Sequence, residues 1–340
     1  MSTTSSELEQ TVKDLLAAPR GILAADESKA TMSSRLEKIG VEPTMENRAA
    51  YREVIGSAPG LGGYISGMIL FDETIRQSFA DGTPFAEGLA REGIIPGIKV
   101  DTGAKPLAFC PGETVTEGLD GLRDRLAEYR ELGARFAKWR AVVNIGDGLP
   151  SDCALVANSH ALARYAALCQ EAGIVPIVEP EVMMDGEHTI ERCEEVTTDA
   201  LRRVFAALAS QRVAYEHMLL KPNMVVPGKK SGQKATPEEV AEATVRTFNR
   251  VVPAAVPGVV FLSGGQSPEE ATANLNAINK LGPLPWRLSF SFGRALLDPA
   301  LVAWAGDDAN RDAAHEALLD RARANAAAST GEYAEEQAVA

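Results

Sequence analysis

The sequence predicts a (β/α)8 barrel, the TIM-barrel form of the α/β class. Short apolar or β-rich segments recur eight times at intervals of about 40 residues, a spacing that leaves room for one helix after each strand. The stretches between them carry helical periodicity, so β and α alternate along the chain. No composition break, linker or charge run divides the 340 residues, and barrels of this kind run past about 250 residues as one unit. A single domain over 1–340 is therefore expected.

The elements follow in order. A helical extension over about 1–20 precedes the first strand segment, GILAAD (Gly21–Asp26), and GYISGMILF (Gly63–Phe71) and GIIPGIKVD (Gly93–Asp101) come next. A helical pattern from Thr116 to Gly133 leads into RFAKWRAVVNI (Arg135–Ile145). Helical SDCALVANSHALARYAALCQEAG leads into GIVPIVEPEV (Gly173–Val182), and VAYEHMLLKPNM (Val213–Met224) is the sixth segment. The next helix opens at Thr236 with Glu239 three residues on, the spacing of a capping box. GVVFLSGGQ (Gly258–Gln266) and RLSFSFGRAL (Arg287–Leu296) close the series, and a C-terminal helix ends in a segment, about 329–340, that reads as a mobile tail.

Composition narrows the function. A net charge of −13 disfavours nucleic acid and anionic membrane as partners, because both surfaces would repel it. There is no signal-like segment and no run of 18 apolar residues, so a cytoplasmic protein is expected. Cys110, Cys153, Cys169 and Cys193 form no CxxC pair and read as reduced packing residues.

In such a barrel the catalytic groups sit where strands end at the C-terminal mouth. The first segment ends in Asp26, and the third carries Lys99 and Asp101. Lys138 and Arg140 lie in the fourth, Glu179 and Glu181 in the fifth, and the sixth ends in Lys221. Residues at i, i+2 on a strand share a face, so each of these pairs points one way, into the barrel. Buried ions cost several kcal/mol each unless paired, so the opposite signs must compensate one another. One charge at a strand end is ordinarily a structural ion pair; five such strands converging make an active site. Lys221 follows two leucines and precedes Pro222, a setting in which a nearby cation such as Lys138 favours the neutral, nucleophilic amine. That setting suggests a Schiff base, and a lysine snorkelling from a strand end is the alternative that this residue alone leaves open. After the seventh and eighth segments, Ser263, Gly264 and Gly265, then Ser291, Gly293 and Arg294, form the loops where barrels bind phosphate: glycines admit backbone N–H groups and the next helix lends its N-terminal dipole.

Taken together, ILAADES, GIKVD, AKWR, IVEPE, LLKPNM, FLSGGQS and SFGRAL resemble the Schiff-base (class I) fructose-1,6-bisphosphate aldolases, in order and over nearly the whole chain. The resemblance implies reversible cleavage of fructose 1,6-bisphosphate to dihydroxyacetone phosphate and glyceraldehyde 3-phosphate in glycolysis and gluconeogenesis. It implies an imine on Lys221, proton shuttling by Glu179 with Glu181 in support, and Asp26 taking the C4 hydroxyl proton amid the charges of Lys138 and Arg140. Trp139 reads as structural. By the same resemblance Ser263, Gly264, Gly293 and Arg294, with Gly265 and Ser291 beside them, hold the C1 phosphate, while Ser28, Arg35 and Lys99 hold the C6 phosphate. No metal or other cofactor is implied, the partners are phosphorylated ketoses and trioses, and a homotetramer is the family habit.

Two departures stand out. Ser34 occupies a place where many family members have lysine, one fewer cation for the C6 phosphate. The last tyrosine is Tyr333 in a chain ending at Ala340, where animal enzymes carry a terminal tyrosine for proton exchange on the enamine; turnover limited at that protonation is expected. Alternatives are a non-catalytic phosphosugar-binding or scaffolding barrel, a transaldolase-like Schiff-base enzyme, and a metal-dependent aldolase. The last would need clustered imidazoles, whereas His160, His188, His217 and His315 are scattered.

Overall fold

The computed structural model describes residues 3–334. Helix Thr3–Leu15 leads into β1 (Gly21–Ala25), followed by β2 (Ile65–Leu70), β3 (Ile95–Lys99), a hairpin of β4 (Gly103–Pro106) and β5 (Thr114–Glu117), and then β6 (Phe136–Val143), β7 (Val175–Val182), β8 (Leu219–Leu220), β9 (Gly258–Phe261) and β10 (Arg287–Phe292). Eight of these close a barrel in the order β1–β2–β3–β6–β7–β8–β9–β10 and back to β1, every neighbour parallel. Each barrel strand falls within its expected segment.

The helices between strands start where local chemistry satisfies their free N–H groups. Ser151, Thr189, Thr236 and Ser267 each accept a backbone hydrogen bond as N-cap. The capping box of Thr236 and Glu239 is present, and Ser267 with Glu270 forms a second.

Two local readings differ from expectation. The helix expected from Thr116 begins at Leu122, because Gly118 and Gly121 take positive φ of 127° and 64° that a helix cannot hold, and Thr116 and Glu117 pair instead in β5. The sixth strand narrows to Leu219–Leu220, since a 3-10 turn at Tyr215–His217 comes just before it and Pro222, with no N–H, soon after.

Inside the barrel, Ile22, Ala24, Ile69, Phe136, Val175, Ile177, Leu219 and Val260 form one apolar layer, which Leu8, Val12 and Leu15 of the N-terminal helix close from below. Gly67 and Gly97 make room for the Phe136 ring, since a Cβ on Gly97 would lie 2.2 Å from it. Two residues further along the same strand faces stand Asp26, Lys138, Glu179 and Lys221. The inward face is thus apolar below and charged at the mouth, a direct product of the period-2 alternation of strands. The larger core lies outside the sheet, between strands and helices, and includes Trp139, fully buried against Tyr165 at 5.5 Å between ring centroids.

Cys169 and Cys193 are buried packing residues as expected, but Cys110 is half-buried and Cys153 exposed. Of the expected tail, Ser329 donates to the Pro19 carbonyl at 2.8 Å, and the Tyr333 backbone exchanges two 3.1 Å hydrogen bonds with the Asn276 side chain; residues 335–340 lie outside the described ones. Among the described residues no helix is long and apolar enough to cross a membrane.

Candidate active site

At the mouth four buried charges alternate in sign. Lys138 Nζ lies 2.7 Å from Asp26 Oδ2 and 3.3 Å from Glu179 Oε2, and Glu179 Oε1 lies 3.3 Å from Lys221 Nζ. None is more than 9% exposed. Lys138 and Glu179 stand on β6 and β7, and Asp26 and Lys221 directly follow the ends of β1 and β8. With two carboxylates and two ammoniums the cluster is neutral, which is how a barrel interior tolerates it.

The electrostatics follow from that packing. Burial alone would push the Asp26 carboxyl up; Lys138, then Lys221 and Lys99, outweigh it and hold Asp26 well below the usual carboxylate range. Burial likewise disfavours the Lys138 ammonium, but Asp26, Glu179 and Asp101 prevail and keep it charged far above the ordinary lysine range. For Glu179 burial is opposed by Lys138, Lys221 and Arg140, and the carboxyl is held below its usual value despite Asp26. The carboxylate of Glu179 stands between the two lysines, one oxygen to each.

A second layer surrounds the first. Arg140 Nε donates to Glu181 Oε2, and Asp101 joins the neighbourhood by accepting from the Arg140 backbone N–H at 3.3 Å and pairing with Lys99 at 3.4 Å. Asp101 is buried and holds the ends of β3 and β6 together, yet its short side chain gave the sequence reading no cue beyond its spacing from Lys99. Asn223, just past Lys221, accepts from the Val182 N–H at 3.1 Å and ties β8's end to β7.

The two glycine loops lie side by side because β9 and β10 pair. Ser263 is buried, and Gly264 approaches Glu181 so closely that a Cβ there would lie 2.6 Å from Oε1. Gly265 takes φ of 81°. These residues precede helix Pro268–Lys280, while Gly293 and the exposed Arg294 open helix Arg294–Trp304, so two helix N-termini face the same loops. Ser291 is buried and its Oγ has no hydrogen-bond partner among the described residues, a free hydroxyl on the strand that ends there.

The other three expected binding residues lie on the β1 and β3 side. Ser28 caps helix Lys29–Lys38 by accepting the Thr31 N–H at 3.3 Å. Arg35 Nη1 donates to Glu27 and lies 3.7 Å from Asp298, and the buried Arg52 reaches the other Glu27 oxygen at 2.6 Å. Lys99 sits 5.9 Å over the Phe71 ring centroid. Sequence reading missed Glu27, Arg52 and Asp298: only the fold brings residues 25 and 246 or more positions apart to one guanidinium cluster. Among the described residues no group of three or more histidine, cysteine or acidic side chains is placed to hold a metal ion.

Residues 7–340 match a family model described as "Fructose-bisphosphate aldolase class-I". A probable fructose-bisphosphate aldolase class 1 of Xanthomonas axonopodis pv. citri is 56% identical over 328 residues, 96% of this chain and 98% of that protein. Fructose-bisphosphate aldolase 4, cytosolic, of Arabidopsis thaliana is 55% identical over 315 residues, 92% of this chain and 80% of the relative. Among solved structures, a Plasmodium falciparum fructose-bisphosphate aldolase in complex with TRAP and a small-molecule inhibitor superposes with a TM-score of 0.97 at 49% identity, covering 98% of this chain and 97% of that one.

Proposed function

The chain belongs to the class I fructose-bisphosphate aldolases and catalyses the reversible aldol cleavage of fructose 1,6-bisphosphate, and from that premise we propose that Lys221 is the Schiff-base nucleophile. The observation that carries this assignment is the difference between the two buried lysines. Lys138 is flanked by carboxylates at 2.7 and 3.3 Å, which keep it an ammonium, whereas Lys221 faces one carboxylate that is placed to exchange a proton with it. A nucleophile must be able to shed its proton, so the roles divide.

Glu179 takes the Lys221 proton as the amine attacks the C2 carbonyl, then returns a proton to the carbinolamine hydroxyl, which leaves as water. Asp26, held ionised by Lys138, accepts the C4 hydroxyl proton. The C3–C4 bond breaks, its electrons pass into the iminium to give an enamine, and glyceraldehyde 3-phosphate departs. Protonation at C3 and hydrolysis of the imine release dihydroxyacetone phosphate. The charge on Lys138 stabilises the developing C4 oxyanion, and Glu181, held by Arg140, steadies the network.

Ser263, Gly264, Gly265, Ser291, Gly293 and Arg294 bind the C1 phosphate, a reading supported by the two helix N-termini and the unpartnered Ser291 hydroxyl. Ser28, Arg35 and Lys99 bind the C6 phosphate. The imine supplies the electron sink, so the reaction runs without a metal, in keeping with a metal-independent family. The protein works as one barrel domain over 1–340 in the cytoplasm, assembled as a homotetramer.

Borohydride reduction in the presence of fructose 1,6-bisphosphate, followed by peptide mass spectrometry, should place the adduct on Lys221, and Lys221→Met should abolish both adduct and cleavage. An adduct on Lys138 instead, or activity lost to EDTA without any adduct, overturns the assignment.

A further inference from the structure

A segment that carries none of the assigned groups crosses the glycine loop after β9. Between β8 and helix Pro237–Val251, three successive N–H groups donate to the chain that follows β7: Gly228 to the His188 carbonyl at 2.8 Å, Lys229 to Met184 at 2.7 Å and Lys230 to Gly186 at 3.0 Å. Ser231 then turns the chain, its Oγ donating to the Gly228 carbonyl at 2.6 Å. The two backbones approach so closely that a Cβ on Gly228 would lie 2.3 Å from the Gly186 oxygen. This strap lays two side chains over Gly265. A Cβ there would meet Met184 Sδ at 2.2 Å and Lys229 Cε at 3.1 Å, so the lysine stem lies across the loop that Ser263 and Gly264 begin. The Lys229 ammonium pairs loosely with Asp185 Oδ1 at 3.8 Å, the two side chains 44% and 62% exposed, a surface geometry that holds a lysine weakly.

We propose that Lys229 is a further substrate-binding residue, its ammonium turning from Asp185 to the C1 phosphate held by the Ser263–Gly265 loop. The inference rests on the assignment of that loop to the C1 phosphate and extends it by a residue from a different segment of the barrel mouth. Charge supplies the reason. A phosphate monoester carries close to two negative charges at neutral pH, and Arg294 is the one cation among the six residues assigned to it. Glu181 adds negative charge beside the loop, since its Oε1 would lie 2.6 Å from a Cβ on Gly264, and Arg140 offsets that carboxylate rather than the phosphate. A lysine over Gly265 supplies the second cation as a point charge on a flexible stem. Its solvent-facing position keeps the ammonium hydrated in the free enzyme, so no unpaired charge is buried before the phosphate arrives.

The test uses the full-length enzyme with fructose 1,6-bisphosphate and fructose 1-phosphate, which share the C1 phosphate. Lys229→Met keeps a stem over Gly265 and removes the charge; KM should rise about three- to ten-fold for both substrates, by the same factor, with kcat within about two-fold of wild type. Lys229→Arg should bring KM back to within about two-fold of wild type, and Asp185→Asn, which removes the competing carboxylate, should lower it about two-fold. Arg294→Gln is measured in parallel as the control on the phosphate assignment. If it raises KM for fructose 1-phosphate while Lys229→Met leaves KM unchanged, the phosphate loop stands and the role of Lys229 falls. If neither variant changes KM, the C1 phosphate lies elsewhere and the assignment of the loop falls with the inference. A rise confined to fructose 1,6-bisphosphate would place the ammonium at the C6 phosphate, and a rise that Lys229→Arg does not reverse would make the effect one of packing; each overturns the proposal.

Discussion

Replacing Lys138 by methionine removes the one cation that serves both Asp26 and Glu179. At 2.7 and 3.3 Å, with an effective dielectric near 20, the attractions lost are about 6 and about 5 kcal/mol. Against this stands the relief of no longer desolvating an ammonium, several kcal/mol in itself, so the net cost is on the order of 3–5 kcal/mol, the usual result of orphaning a buried charge. That is a large share of a typical domain's about 5–15 kcal/mol. Urea unfolding at pH 7 and fixed protein concentration measures it. The variant cluster carries two carboxylates and one ammonium, so Asp26→Asn in the same background should restore neutrality and recover about 2 kcal/mol.

The pH dependence gives a second, independent reading. In the wild type the Asp26 and Glu179 carboxyls are held below their unfolded values, so their stabilisation is present above about pH 4 and lost as pH falls through the lowered folded values. Without Lys138 burial dominates and a folded carboxyl pKa rises above its unfolded value; that group favours folding at low pH and opposes it as pH rises. The gap between variant and wild type should therefore shrink as pH drops from 7 towards about 4. A single variant within about 1 kcal/mol of wild type at pH 7, or a double variant less stable than the single, would refute the reasoning.

Three further outcomes test the assigned roles. Glu179→Gln should slow imine formation by at least about 10²-fold in single-turnover trapping with borohydride, and Glu181→Gln by clearly less; a larger loss from Glu181 would exchange their roles. Gly264→Ala puts a methyl 2.6 Å from Glu181 Oε1 and should displace that carboxylate from Arg140, lowering kcat/KM by up to about 10²-fold while circular dichroism stays unchanged. Asp298→Asn frees Arg35 from a half-exposed competitor 3.7 Å away and should lower KM for fructose 1,6-bisphosphate about two- to five-fold, with KM for fructose 1-phosphate unaffected; an equal change for both substrates would place Arg35 away from the C6 phosphate.

Much of this protein is legible in one dimension because its architecture repeats a local rule. Strand alternation at period 2 fixes which residues face inward, so Ile177 and Glu179, or Phe136 and Lys138, could be set on one face from spacing alone. Glycines and capping residues are equally local: Thr236 with Glu239 announced its helix. The hairpin β4–β5 was not legible, because its two four-residue strands are mostly exposed, carry little alternation and run into a helical pattern that only the positive φ of Gly118 and Gly121 interrupts.

The sequence by itself determined the barrel, the charged ends of its strands and the two glycine loops, since each depends on residues within a few positions of one another. Tertiary structure alone decided the pairing of those charges. Glu179 stands between Lys138 and Lys221, Arg140 binds Glu181, and Glu27 and Asp298 hold Arg35. Coulomb energy falls with distance in space and takes no account of distance along the chain, so which charges pair with which was settled only when the barrel closed.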